Sequence, residues 1–284
     1  MSLEYTVTYC TENSYENDVS EAFWQFCIIP ENNTTQDLIS WDFDNSLKAL
    51  NEVSINGFGF QVVRIHPKQL FKKITFKASF KLIKKEINPY DFILNHEVSE
   101  DYATINSIVF IADHEPFLRK TRFTKLAEKY KSLFLFDSTK LIFDNLLELN
   151  SWVFEHLYFK VGVTDVHTSL DEIIEKRHGV CQDFVHLYCA IARENNVPVR
   201  YVSGYLHQGN GYFGDSQMHA WVEAFVPNVG WVGFDPTNNI LVEHNHLKVA
   251  HGKDYHDCPP IKGVVYSKGR NTTKYVVEVQ ASQQ

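Results

Sequence analysis

The sequence predicts an α+β protein: an N-terminal β-sandwich, then helices packed on an antiparallel sheet. Three observations predict it. Residues 74–82 alternate strictly, apolar at even positions and polar at odd ones, as in a strand with one buried face and one wet face. Further on the period changes to that of a helix, with Ile142, Leu146, Leu149, Val153 and Leu157 forming one apolar stripe. Two aromatic and β-branched runs then begin at His219 and Trp231, separated by the turn signal Pro227-Asn228-Val229-Gly230.

The elements follow in order. Residues 1–115 read as a β-rich domain and residues 116–284 as the core. Residues 5–9, 21–29 and 39–43 are short strand candidates. Asn56-Gly57 between residues 53–55 and 58–63 predicts a type I′ hairpin. Asn88-Pro89 ends the sheet. Asp113-His114-Glu115-Pro116 reads as the hinge, with Pro116 opening a helix at its first position. Ser169-Leu170-Asp171-Glu172 is a capping box, and the helix it starts ends near His178-Gly179. A further helix follows, carrying Val180, Phe184, Val185, Tyr188 and Ile191 at helical spacing. It breaks at Asn195-Asn196-Val197-Pro198. Residues 199–206 read as a strand, and residues 264–266 and 275–279 are expected to close the core sheet. Residues 208–214 form a glycine-rich loop of the kind that lines sites.

Composition narrows the function. The chain has 284 residues, is 44% hydrophobic and carries a formal charge of −8. It can build a core, and its acidity argues against nucleic acid or an anionic membrane as partner. No apolar run approaches the ~18 residues of a membrane span. The start lacks the basic and apolar regions of a signal peptide. Five cysteines without framework spacing favour a reducing, cytoplasmic setting. No cofactor is implied.

The chemistry concentrates at Gly179-Val180-Cys181-Gln182-Asp183-Phe184. Gly179 permits a sharp turn, and Cys181 falls in the first turn of a helix, where unpaired N–H groups and the dipole favour a thiolate. Asp183 is a favourable anion there. Cys189, two turns further along, lacks that help and reads as a buried hydrophobe. A nucleophilic cysteine needs a base and an orienting group, and His219 and Asp235 follow in order. The two must share one face of the sheet. A two-residue loop would put them on opposite faces. A three-residue loop with Gly230 in the left-handed region, or a bulge, brings them together.

The stretches RHGVCQDFVHLYCAIARENNVPVRYVSGYL and SQMHAWVEAFVPNVGWVGFDPTNN resemble the transglutaminase-like superfamily, a papain-like group with a Cys-His-Asp triad. The bacterial branch assigned to cysteine proteases matches best, and the tail HLKVAHGKDYHDCPPIKGVVY is similar to the end of that group. The resemblance implies Cys181 as nucleophile, His219 as base, Asp235 as orienter, and a peptide or protein amide as substrate. Gln182 and Trp221 are candidate substrate contacts. The Cys181 N–H and one further donor would hold the oxyanion. His246 and the Gly252-Lys253-Asp254-Tyr255 turn are placed near the site without a role. His244, His246, His251, His256 and Cys258 match no zinc spacing, so no metal is expected. Water as acceptor gives a protease or amidase, and an amine gives a transglutaminase. A non-catalytic peptide-binding module is the remaining reading, because a fold alone does not establish activity.

Overall fold

The computed structural model describes residues 2–92, 97–165, 167–207 and 217–282. Six strands open the chain: β1 (Ser2–Val19), β2 (Glu21–Phe26), β3 (Gln36–Asn45), β4 (Asn51–Ile55), β5 (Gln61–Ile65) and β6 (Phe71–Lys85). Helices α1 (Val98–Ile105), α2 (Ile108–Leu118) and α3 (Ile142–His156) follow. The short strand β7 (Tyr158–Phe159), helix α4 (Leu170–Lys176) and strand β8 (His178–Gly179) lead to helix α5 (Cys181–Glu194). The rest is strand: β9 (Val199–Leu206), β10 (His219–Val226), β11 (Gly230–Asp235), β12 (Ile240–Leu241), β13 (His246–Gly252), β14 (Ile261–Tyr266) and β15 (Asn271–Ser282).

The N-terminal strands build two four-stranded antiparallel sheets, in the orders β15-β1-β6-β3 and β14-β2-β5-β4. Their facing sides meet through aromatic rings. Phe26 of the second sheet lies 5.1 Å from Phe43 and 4.7 Å from Phe76 of the first. In β6 the even positions from Ile74 to Leu82 are all buried, as the alternation predicts. The strands expected to close the core sheet do not reach it. β14 pairs with β2 and β15 with β1, covering edges that those strands would otherwise leave open. The core sheet has the order β12-β11-β10-β9-β13.

Three local expectations are corrected. The Asn56-Gly57 hairpin forms, but with a five-residue loop: Ile55 pairs with Gln61, and Gly59 is the residue at positive φ. Asn56 makes this loop self-sufficient, its side-chain oxygen accepting from the N–H groups of Phe58 and Phe60. Pro116 lies in the last turn of α2 rather than opening a helix, since Ser107 is the cap, accepting from Phe110 N at 3.2 Å. Residues within 98–115 are therefore helical, not β. The glycine-rich loop lies outside the described residues.

The apolar stripe of α5 reads as amphipathic, yet residues from Asp183 to Arg193 are buried on every side. Two polar residues mislead the pattern because each finds a buried partner. His186 stacks on Phe123 at 5.2 Å and accepts from Tyr255 N. Burial pulls it down to about 3, so it is a neutral acceptor. Arg193 donates to the carbonyls of Phe117, Val199 and Lys253 and to the Thr124 hydroxyl. This guanidinium locks the end of α5 to three other segments.

One of the side chains that join the N-terminal sheets to the core sheet acts like a strand. Gln36 donates to Lys248 O at 2.6 Å and accepts from Lys248 N at 3.0 Å, as a strand backbone would. Replacing Gln36 with Ala leaves the Lys248 N–H buried and unpaired. A loss of about 1–3 kcal/mol is expected, read in urea unfolding as a lower midpoint with an unchanged slope.

Candidate active site

Cys181 is the first residue of α5, and the segment entering it is pinned on both sides. β8 runs parallel to β7, and Lys160 N donates to Gly179 O at 2.8 Å. The Asp183 carboxylate reaches back, accepting from Val180 N at 2.7 Å and from the Thr164 hydroxyl at 2.6 Å. Gly179 is required here for space rather than for unusual backbone angles. A Cβ there would lie 2.6 Å from the Asp183 Cβ. The left-handed residue of the turn is Arg177, at φ 55°.

The hairpin of β10 and β11 has the odd loop that the site needs. Val226 pairs with Gly230 across a three-residue loop, and Gly230 has φ 102°. In this register His219 and Asp235 project from the same face. His219 Nε2 and Asp235 Oδ2 are 2.8 Å apart, and both side chains are 0% exposed. Asp235 also terminates its strand in an Asx turn, Oδ1 accepting from Thr237 N at 3.0 Å and from Asn238 N at 3.3 Å. Its Oδ2 accepts from Asn238 Nδ2 at 2.7 Å and from His246 Nε2 at 3.2 Å.

Electrostatics follow from this burial. Desolvation pulls His219 down, but Asp235 and then the Cys181 thiol outweigh it, and its proton affinity rises to about 10. Burial likewise opposes ionisation of Asp235, yet His219 and His246 hold its carboxyl far below the usual range. The pair is an imidazolium and a carboxylate. His219 Nδ1 has no hydrogen-bond partner among the described residues.

Cys181 and His219 open onto a cavity of about 340 Å³. Gln182 lines it. Trp221 does not: it is 1% exposed, packed 5.2 Å from the His246 ring. Its six-membered ring sits so close to Gly204 that a Cβ there would clash with it. Trp221 therefore shapes the site from beneath instead of touching substrate. Part of the wall is Tyr9 and Thr11 of β1 with Thr273 and Tyr275 of β15. Tyr255 completes it. No lysine or arginine lines the cavity among the described residues.

His219, Asp235 and His246 bring three metal-binding atoms within 4.8 Å of one another. The 2.8 and 3.2 Å separations are those of N–H···O bonds. A zinc ion about 2.0–2.1 Å from each nitrogen would have to take the place of both protons.

Residues 136–236 match the Transglutaminase-like superfamily. That segment is similar to a transglutaminase-like core. An uncharacterised protein of Mycobacterium leprae is 26% identical over 96% of this chain and 97% of its own length. One from Mycobacterium tuberculosis is 35% identical over 136 residues, 45% of this chain and 43% of the relative. The candidate cysteine protease of Cytophaga hutchinsonii shares the fold, with a TM-score of 0.81 at 20% identity, over 100% of this chain and 92% of that one.

The transglutaminase-like segment contains Cys181, His219 and Asp235 but not the whole site. His246, Tyr255 and the β1–β15 wall lie outside residues 136–236. Sequence reading missed that wall because its four residues are polar or aromatic members of ordinary alternating strands. Asn238 was legible, since Asp-Pro-Thr-Asn is an Asx-turn pattern.

Two outcomes are expected. Limiting iodoacetamide should label Cys181 much faster than Cys189, whose thiol is 0% exposed and pushed up to about 12 by burial; mass spectrometry of the native protein reads the ratio. The second concerns stability. His219 binds its proton more tightly folded, at about 10, than unfolded, at ~6.5. Its contribution is complete below ~6.5 and lost as pH rises through about 10. The melting-temperature gap between wild type and His219→Gln should be widest at pH 6 and shrink towards pH 10.

Proposed function

We propose that the protein is a thiol enzyme acting on amides, with Cys181 as nucleophile, His219 as acid–base and Asp235 as orienter. The observation that carries this reading is a helix-initiating cysteine sharing one cavity with a fully buried imidazole–carboxylate pair. With its proton affinity raised, His219 holds the proton that Cys181 gives up as its sulfur attacks. The carbonyl becomes a tetrahedral oxyanion. The Cys181 N–H, which has no helix carbonyl preceding it, points a donor at that charge. The imidazolium then gives its proton to the leaving amine, and an acyl-enzyme remains. Neutral His219 next takes a proton from water, whose oxygen attacks the thioester; the C–S bond breaks, the Cys181 sulfur leaves with the proton held by His219 available to it, and the acid is released.

The cavity wall suits the acyl side of a neutral or aromatic substrate. It offers four tyrosines, Tyr9, Tyr201, Tyr255 and Tyr275, and no cationic side chain for a carboxylate among its described residues. In this reading water is the acceptor, and the enzyme is a protease or amidase of the transglutaminase-like superfamily.

The test is a set of peptide and γ-glutamyl amides, with aromatic or acidic neighbours, incubated with and without a primary amine and read by mass spectrometry. Free acid should dominate, with aromatic substrates ahead of acidic ones. Cys181→Ala and His219→Ala should abolish turnover while keeping the fold. Asp235→Asn should lower kcat by about 10²–10⁴-fold. Amine adducts formed in preference to free acid would assign a transferase instead. No turnover, together with tight peptide binding, would assign a binding module.

A further inference from the structure

His246 is the buried titratable group that the mechanism above leaves unused. It is the first residue of β13, and its N–H donates to Glu243 O at 3.1 Å, which fixes the backbone. Its ring is fixed as well. Nδ1 accepts from Glu243 N at 3.4 Å, so the ring proton is on Nε2. That Nε2–H points at Asp235 Oδ2, 3.2 Å away. Trp221 closes the remaining side at 5.2 Å, with its plane 76° from that of the imidazole. The side chains of His246 and Asp235 are both 0% exposed, so no water competes for the bond.

The same carboxylate oxygen receives the His219 Nε2–H. Asp235 thus stands between two imidazoles whose ring centres are 6.1 Å apart. They differ in charge. Burial lowers His246 and Asp235 only partly opposes this, while His219 is raised. One ring is the cation of the pair and the other a neutral donor. The neutral ring does not compete for the negative charge; it restricts where the oxygen can point.

We propose that His246 is a positioning residue: its Nε2–H holds Asp235 Oδ2 in the orientation that aims His219 at Cys181. The proposal rests on the triad reading. Its effect passes through Asp235 and must vanish when Asp235 can no longer orient His219. A residue that merely supported the fold would show no such dependence.

The readout is the second-order rate of Cys181 alkylation by iodoacetamide at pH 6.5, which needs no substrate. His246→Phe keeps a ring and removes the N–H. It should slow alkylation by about 10-fold, the order seen when the outer partner of a fixed ligand or base is lost. His246→Gln, which can still donate to Asp235, should recover most of the rate and covers the case in which His246→Phe does not fold. In the Asp235→Asn background, His246→Phe should cause no further slowing. The proposal is overturned if His246→Gln is as slow as Asp235→Asn, or if His246→Phe folds and matches wild type. It is equally overturned if the two substitutions slow the reaction additively. Wild-type alkylation in Asp235→Asn itself would bring down the triad reading and the proposal together, whereas a slowed Asp235→Asn beside an unaffected His246→Phe would bring down the proposal alone.

Discussion

A carboxylate with no exposed atom, 2.8 Å from an equally buried imidazole, is the interaction on which the structure depends. Isolated burial of such a charge is costly, and removing one partner of a buried pair costs about 3–5 kcal/mol. The fold meets this by surrounding Asp235 with donors. Two backbone N–H groups, one amide and two imidazoles converge on its two oxygens. Together the five donors constrain three separate parts of the chain: the Asp-Pro-Thr-Asn turn, the start of β10 and the start of β13. The geometry of the site and the closure of the core sheet are thus one requirement, met by one side chain.

That requirement was partly legible in the sequence. The parity of the β10–β11 hairpin follows from the period of a strand, so Gly230 alone indicates whether His219 and Asp235 can meet. The start of α5 at Cys181 follows from the change of period after Gly179. Other features resisted for identifiable reasons. Gly179 is small because a carboxylate four residues later occupies the space, which is a tertiary fact. His186 and Arg193 look like solvent-facing positions because their partners, Tyr255 and Phe117, are distant in sequence. His246 resembles a member of a histidine-rich loop until its neighbours are known. β14 and β15 carry patterns compatible with either sheet, and only the vacant edges of β2 and β1 decide between them.

Strands outside the transglutaminase-like segment help to line the cavity. Tyr9, Thr11, Thr273 and Tyr275 share it with Cys181. Burial, and after it the neighbouring Cys181, hold the Tyr275 phenol above its usual range. Residues on β1 and β15 can therefore change the lining of the cavity while those on α5, β10 and β11 stay as they are.

The pairing of β1 with β15 runs from Glu4 opposite Ser282 to Tyr15 opposite Asn271, spanning nearly the whole chain. Contacts so distant in sequence form late, after long stretches of chain have been ordered. On the ribosome, Cys181, His219 and Asp235 emerge and can fold together while residues 271–282 are still being made. At that stage the cavity has its lining from β1, α5 and β10 but lacks Thr273 and Tyr275. The pairing of β15 with β1 is therefore what finishes the cavity, and chain made before it carries a cleft open along one side.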